Sequence, residues 1–139
     1  EYNLYDRAGF EAELMPLCLK ENIGVISFYS LARGFLSGKY RSEADLGKSV
    51  RGARVGEVYF NPRGFRILDA LDKVAAAHGS NPARIALAWL MQRPAITAPI
   101  ASATTLEQLE DLMAAAEVKL TAEDAKALDE ASLPARAAA

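Results

Sequence analysis

The run Phe28-Tyr29-Ser30-Leu31-Ala32-Arg33-Gly34-Phe35-Leu36-Ser37-Gly38-Lys39-Tyr40-Arg41 collects residue types that suit a dinucleotide. An aromatic closing a strand offers a flat apolar face to a nicotinamide ring. In the loop beyond it, the Ser30 hydroxyl, backbone N–H groups and the Lys39 ammonium suit a diphosphate. Gly34 and Gly38 let the backbone approach such a ligand closely. The same spacing also describes an ordinary strand end, with one of Phe28 and Tyr29 in the core and the other on the surface.

A second run, Ser102-Ala103-Thr104-Thr105-Leu106-Glu107-Gln108-Leu109-Glu110-Asp111, sets hydroxyls and unpaired amides at the start of a helix. The helix dipole and free N–H groups there favour a phosphate. Gln108 and Asp111 lie three apart and share a helix face, spaced to clasp the adenosine end of a nucleotide. A plain capped helix needs only Thr104 or Thr105 with Glu107, so this run alone leaves both readings open.

Other reactive side chains point to less. His78 falls at a helix end on the outer shell and reads as a solvated surface residue. Cys18 is the single cysteine and reads as a core side chain without a disulfide partner. Together they make no metal cluster, so no metal site is expected. A net charge of −2 and a pI near 5.5 supply neither a basic face for nucleic acid nor a polybasic membrane patch. The balance of 51% hydrophobic and 24% charged residues is that of a soluble globular chain. No apolar run reaches the roughly 18 residues of a membrane helix, and no export signal is visible. The cytoplasm is the expected compartment.

The elements that must position these runs follow from periodicity. Tyr2 to Arg7 reads as the tail of a strand entering a loop, and residues 10–21 as a helix kinked or restarted at Pro16. Residues 24–29 form a short buried strand of the parallel type. From Gly34 to about Pro62 the sequence is polar and unpatterned, as in a functional loop. Helices are predicted over 64–77, closed by Gly79, and from the Asn81-Pro82 cap to Gln92. Residues 96–100 form a second short strand. Thr104-Thr105-Leu106-Glu107 opens a further helix as a capping box, and a last helix runs from Thr121 to about Leu133-Pro134. Strands alternating with helices predict parallel βα units, here a partial (β/α)8 TIM barrel in the α/β class. A complete barrel needs about 250 residues. The 139 residues divide into 1–134, the C-terminal half of such a barrel, and a frayed alanine-rich tail over 135–139. The chain opens on Glu1 in a patterned apolar segment, which leads us to expect more chain upstream.

Both runs together resemble the aldo-keto reductases. That family carries aromatic-x-[Ser/Pro]-Leu-Ala-x-Gly-x-Leu-[Thr/Ser]-Gly-Lys-Tyr after its seventh barrel strand and a Gly-Ala-[Ser/Thr]-x-x-Glu-Gln-Leu-like run after its eighth. Glu1-Tyr2-Asn3-Leu4, Pro16-Leu17-Cys18 ahead of Gly24-Val25-Ile26, and Pro82-Ala83-Arg84-Ile85-Ala86-Leu87-Ala88-Trp89-Leu90 agree with it in order. The resemblance extends to about Leu133, is of the bacterial type and is shared with the potassium-channel beta-subunit branch.

The resemblance implies an NADP(H)-dependent reduction of aldehydes or ketones. By position, Phe28 stacks on the nicotinamide, and Tyr29, Ser30, Leu31, Ala32 and Arg33 wrap the diphosphate with Lys39 nearby. Ser102, Thr104, Gln108 and Asp111 surround the adenosine ribose and its 2′-phosphate. Ser102 stands where glycine is common, Asp111 where glutamate is common, and Gln108 where many members grip the 2′-phosphate with arginine. The family's catalytic Asp, Tyr, Lys and His lie in the first half of the barrel, before Glu1. No catalytic residue is therefore expected here, and the isolated chain is expected to be inactive. Its expected partners are the missing half of the barrel, or a second copy meeting its strand edges, and a small carbonyl substrate in the intact enzyme. The alternative is a half-barrel that serves as a non-catalytic nucleotide-binding or assembly module.

Overall fold

The structure, a computed structural model, describes residues 1–134; the expected tail over 135–139 lies outside the described residues. Strand β1 (Val25–Ser27) pairs in parallel with β2 (Ile96–Pro99), with Val25 beside Ile96, Ile26 beside Ala98 and Ser27 beside Pro99. Between the two strands the chain passes through α2 (Gly52–Tyr59), α3 (Pro62–Ala77) and α4 (Pro82–Met91). Helix α1 (Met15–Lys20) precedes the sheet, and α5 (Leu106–Ala114) and α6 (Ala122–Ser132) follow it.

Local chemistry explains the boundaries. Pro16 has no N–H for the helix ladder, so the turns before it widen into a π-helix, Phe10–Leu14, where Met15 N–H reaches Phe10 O. Asn61 and Asn81 cap α3 and α4 by accepting from the amides of Gly64 and Arg84, and each is followed by proline, whose missing N–H costs nothing at a helix start. Gly64 lies against the Tyr59 carbonyl and the Phe35 ring, where an added Cβ has no room. The C-terminal carbonyls of α6 meet two arginines of α3. Arg63 donates to Ser132 O and also to Tyr5 O, and Arg66 to Ala131 O and Leu133 O.

The core lies among α2, α3, α4, α6 and the loop after β1. Phe35, Leu36, Tyr59, Ile67, Leu71 and Ile85 are among its fully buried side chains. Trp89 is buried too, with the Arg7 and Arg93 guanidinium groups 4.9 and 4.7 Å from its ring and its indole N–H on Asp129 at 3.0 Å. Burial opposes ionisation of Asp129, but hydrogen bonding from Arg7 and the charges of Arg93 and Arg7 prevail and hold its carboxyl below the usual range. Outside this core, Ile26, Phe28 and Ile100 at the sheet and Leu14 and Leu17 before it are exposed. Among the described residues no helix is long and apolar enough to cross a membrane.

Several expectations need correction. Tyr2 to Arg7 forms no strand; its one backbone bond to the sheet region runs from Tyr2 N–H to Phe28 O. The stretch expected to be irregular up to Pro62 contains a 3-10 helix (Glu43–Lys48) and α2. Val55, Val58 and Tyr59 give α2 an apolar face, but Gly52 and Gly56 mask its helical character in the sequence. His78 is half-buried rather than solvated, with Nε2 2.8 Å from an Asp124 carboxylate oxygen. Cys18 is partly exposed rather than in the core.

Candidate functional site

Parallel pairing brings the C-terminal ends of β1 and β2 to one edge of the sheet, and both candidate runs begin there. Ile100 N–H donates to Ser27 O at 2.7 Å, extending the pairing past β2. Ser30 Oγ then donates to Ile100 O at 2.8 Å. Ser30 is buried, so its hydroxyl joins the two loops instead of facing outward.

The loop after β1 turns sharply. Tyr29, Ala32 and Arg33 have φ of 54°, 49° and 58°, and Gly34 follows at 93°. Left-handed backbone costs a residue with a Cβ roughly 1–2 kcal/mol, so this loop is held by its surroundings. The turn folds Arg33 back until its guanidinium lies 4.1 Å from the centre of the Tyr29 ring, and Phe28 lies 5.2 Å from that ring on a 50° tilt. Phe28 is 49% exposed, so about half of this aromatic residue is open at the sheet end. Lys39 crosses Gly34 closely: a Cβ built there would lie 3.3 Å from the ammonium. Two cations thus border the turn. Leu31 is half-buried, and Ala32 is buried.

The loop after β2 is open. Ser102, Thr104 and Gln108 are exposed. The helix start lies one residue later than the sequence suggests: Thr105 Oγ1 accepts from Gln108 N–H, and Gln108 Oε1 accepts from the N–H and hydroxyl of Thr104. Glu107 is not the reciprocal partner. Asp111 does not join Gln108 in a clasp. Its carboxylate accepts from Asn81 Nδ2 at 3.0 Å and Arg84 Nε at 2.8 Å, and its ion pair with Arg84 closes to 2.6 Å. That pairing fixes α5 against the start of α4.

Sequence reasoning passed over two side chains that shape this edge. Arg84 was visible only as part of a helix, and no spacing rule connects it to Asp111. Asn3 is completely buried and donates to Tyr29 O at 3.0 Å. A polar residue between Tyr2 and Leu4, ahead of Tyr5-Asp6, was its sole signal.

A family model described as the aldo/keto reductase family matches residues 1–133. The chain belongs to this family. It is part of the aldo/keto reductase barrel, with the two-stranded parallel sheet and its helices as one sector. Probable aldo-keto reductase 1 of Glycine max is 30% identical over 132 residues, covering 94% of this chain and 38% of that protein. Aldo-keto reductase yakc [NADP(+)] of Schizosaccharomyces pombe is 29% identical over 126 residues, covering 87% of this chain and 36% of its own length. A crystal structure of a thermostable aldo-keto reductase with the inhibitor epalrestat superposes with a TM-score of 0.67 at 25% identity, over 94% of this chain and 38% of that one. The chain therefore spans less than two-fifths of each of these aldo/keto reductases.

Proposed function

We propose that this chain supplies the cofactor-gripping wall of a cytoplasmic NADP(H)-dependent oxidoreductase that reduces aldehydes or ketones to alcohols. The observation that carries this reading is the parallel pairing of β1 with β2, which starts both candidate loops from one sheet edge. The open Phe28 ring suits the nicotinamide, the cations of Arg33 and Lys39 suit the diphosphate, and the exposed hydroxyls of Ser102 and Thr104 with Gln108 suit the ribose and 2′-phosphate. Tyr29, Leu31 and Ala32 shape the diphosphate turn. Ser30 contributes by joining the two loops, and Asp111 by anchoring α5. When bound, the nicotinamide supplies the hydride. The Schizosaccharomyces pombe relative is named for NADP(+), which supports NADP as the dinucleotide.

In this reading the proton donor comes from the other part of the barrel, and the isolated chain is inactive. The exposed Leu14, Leu17, Ile26 and Ile100 meet that part, or a second copy when it is missing. The test is NADPH oxidation with 4-nitrobenzaldehyde, comparing the 139-residue chain with the full-length natural polypeptide. Turnover is expected from the latter alone. Activity in material whose intact mass is that of the 139 residues would overturn the proposed division of labour. Saturable NADPH binding without turnover in the full-length protein would favour a nucleotide-binding module.

A further inference from the structure

We infer that Asn3 is a positioning residue for the dinucleotide, holding the left-handed turn at Tyr29 from beneath. The inference rests on the cofactor reading above and assigns a role to a buried residue that meets the candidate site only through the Tyr29 backbone carbonyl.

The Asn3 carboxamide is saturated. Oδ1 accepts from the amides of Tyr5 and Asp6, both at 2.8 Å, which closes a tight local turn. Nδ2 donates to Asp6 Oδ2 at 3.1 Å and to Tyr29 O at 3.0 Å. Two amide donors on one side and two acceptors on the other fix which end of the group is oxygen. The Tyr59 hydroxyl braces the arrangement by donating to the same Asp6 oxygen at 2.9 Å.

Tyr29 needs such a hold. Its φ of 54° is unfavourable for a residue with a Cβ. Its carbonyl takes a second bond from Ala32 N–H at 2.8 Å, but that donor belongs to the same turn and moves with it. Asn3 is the anchor from outside the turn, 26 positions away in sequence and fully buried. The Tyr29 ring packs against both Phe28 and the Arg33 guanidinium. Release of the Tyr29 carbonyl lets its backbone leave the left-handed region and carries ring and guanidinium with it. The expected consequence falls on the nicotinamide and diphosphate end and spares the adenosine end, which is built on the loop after β2 and the start of α5.

The experiment uses the full-length protein, its Asn3→Ala variant, and Asn3→Ser, whose hydroxyl keeps an acceptor for the Tyr5 and Asp6 amides but is too short to reach Tyr29 O. Dissociation constants are measured by calorimetry for NADPH and for adenosine 2′-monophosphate, which lacks diphosphate and nicotinamide. Asn3→Ser is expected to weaken NADPH on the order of tenfold, as for one lost buried hydrogen bond, with 2′-monophosphate binding unchanged. KM for NADPH should rise more than kcat falls. Equal weakening of both ligands, or unchanged NADPH affinity, would overturn the role of Asn3. Failure of the parent protein to bind NADPH at all would instead remove the cofactor reading, and the inference with it.

Discussion

Ser30 and Ile100 share a hydrogen bond of 2.8 Å although 70 positions separate them, and this bond spans the gap between the two loops of the candidate site. Ser30→Ala removes the buried hydroxyl that donates to the Ile100 carbonyl. We expect a loss of about 1–2 kcal/mol in urea unfolding of the full-length protein and a several-fold weaker NADPH complex. Unaltered stability and affinity would show that the loops hold their places independently.

Arg33 and Lys39 should act on the cofactor through charge. Arg33→Ala and Lys39→Ala are each expected to weaken NADPH on the order of tenfold at low salt, with the deficit shrinking as ionic strength rises and exposed charges are screened. Calorimetry at several sodium chloride concentrations reads this directly. A deficit independent of salt would assign both residues to packing.

Gln108 is expected to limit preference for NADPH over NADH. Gln108→Arg places a planar cation at the exposed start of α5 and should raise that preference by about tenfold, measured as the ratio of kcat/KM values. The change also deletes the Gln108 cap on Thr104, so a loss of about 1 kcal/mol in stability should accompany it. An unchanged ratio would place the 2′-phosphate elsewhere.

Asp129 and Asp124 tie stability to pH. Both carboxyls titrate below their ordinary range in the folded chain: burial opposes this in each, but Arg7 and Arg93 outweigh it at Asp129, and His78 and Thr121 at Asp124. A depressed folded value means the stabilisation is complete above the unfolded carboxyl's range, near 4, and disappears as pH falls through the folded values. The urea midpoint should therefore decline steeply below about pH 4. Asp129→Asn should flatten part of that decline while lowering stability at pH 7 on the order of 2 kcal/mol, because Arg7 and Arg93 lose the carboxylate charge they share and one acceptor oxygen becomes an NH2 donor. A midpoint indifferent to pH in the parent protein would contradict the assignment.

The helices that carry strong periodicity and explicit caps were legible in the sequence. Asn81-Pro82 marks the start of α4, and Phe65, Leu68, Leu71 and Val74 mark the apolar face of α3, the last three of them buried. The two strands could be read as apolar runs between turn residues. Helix α2 could not, because Gly52, Gly56 and Arg54 dilute a face only two turns long. Among the candidate site residues, Phe28, Ser102 and Thr104 are exposed beyond the strand ends and Gln108 is exposed in the first turn of α5. What the sequence did not show was where the polar groups spend their hydrogen bonds. Ser30 spends its hydroxyl on Ile100 and Asp111 its carboxylate on Arg84, pairings between segments remote along the chain. The bond from Asn3 to Tyr29 is of the same kind, joining positions 26 apart.

One guanidinium draws together two segments remote along the sequence. Arg63 bonds the carbonyls of both Tyr5 and Ser132, so the turn that follows Asn3 and the last turn of α6 are knotted at a single side chain. Release of one carbonyl takes a partner from the group that secures the other. Loss of order should therefore spread between these two segments as a single event, and a protease that cuts within α6 should also loosen the buried Asn3.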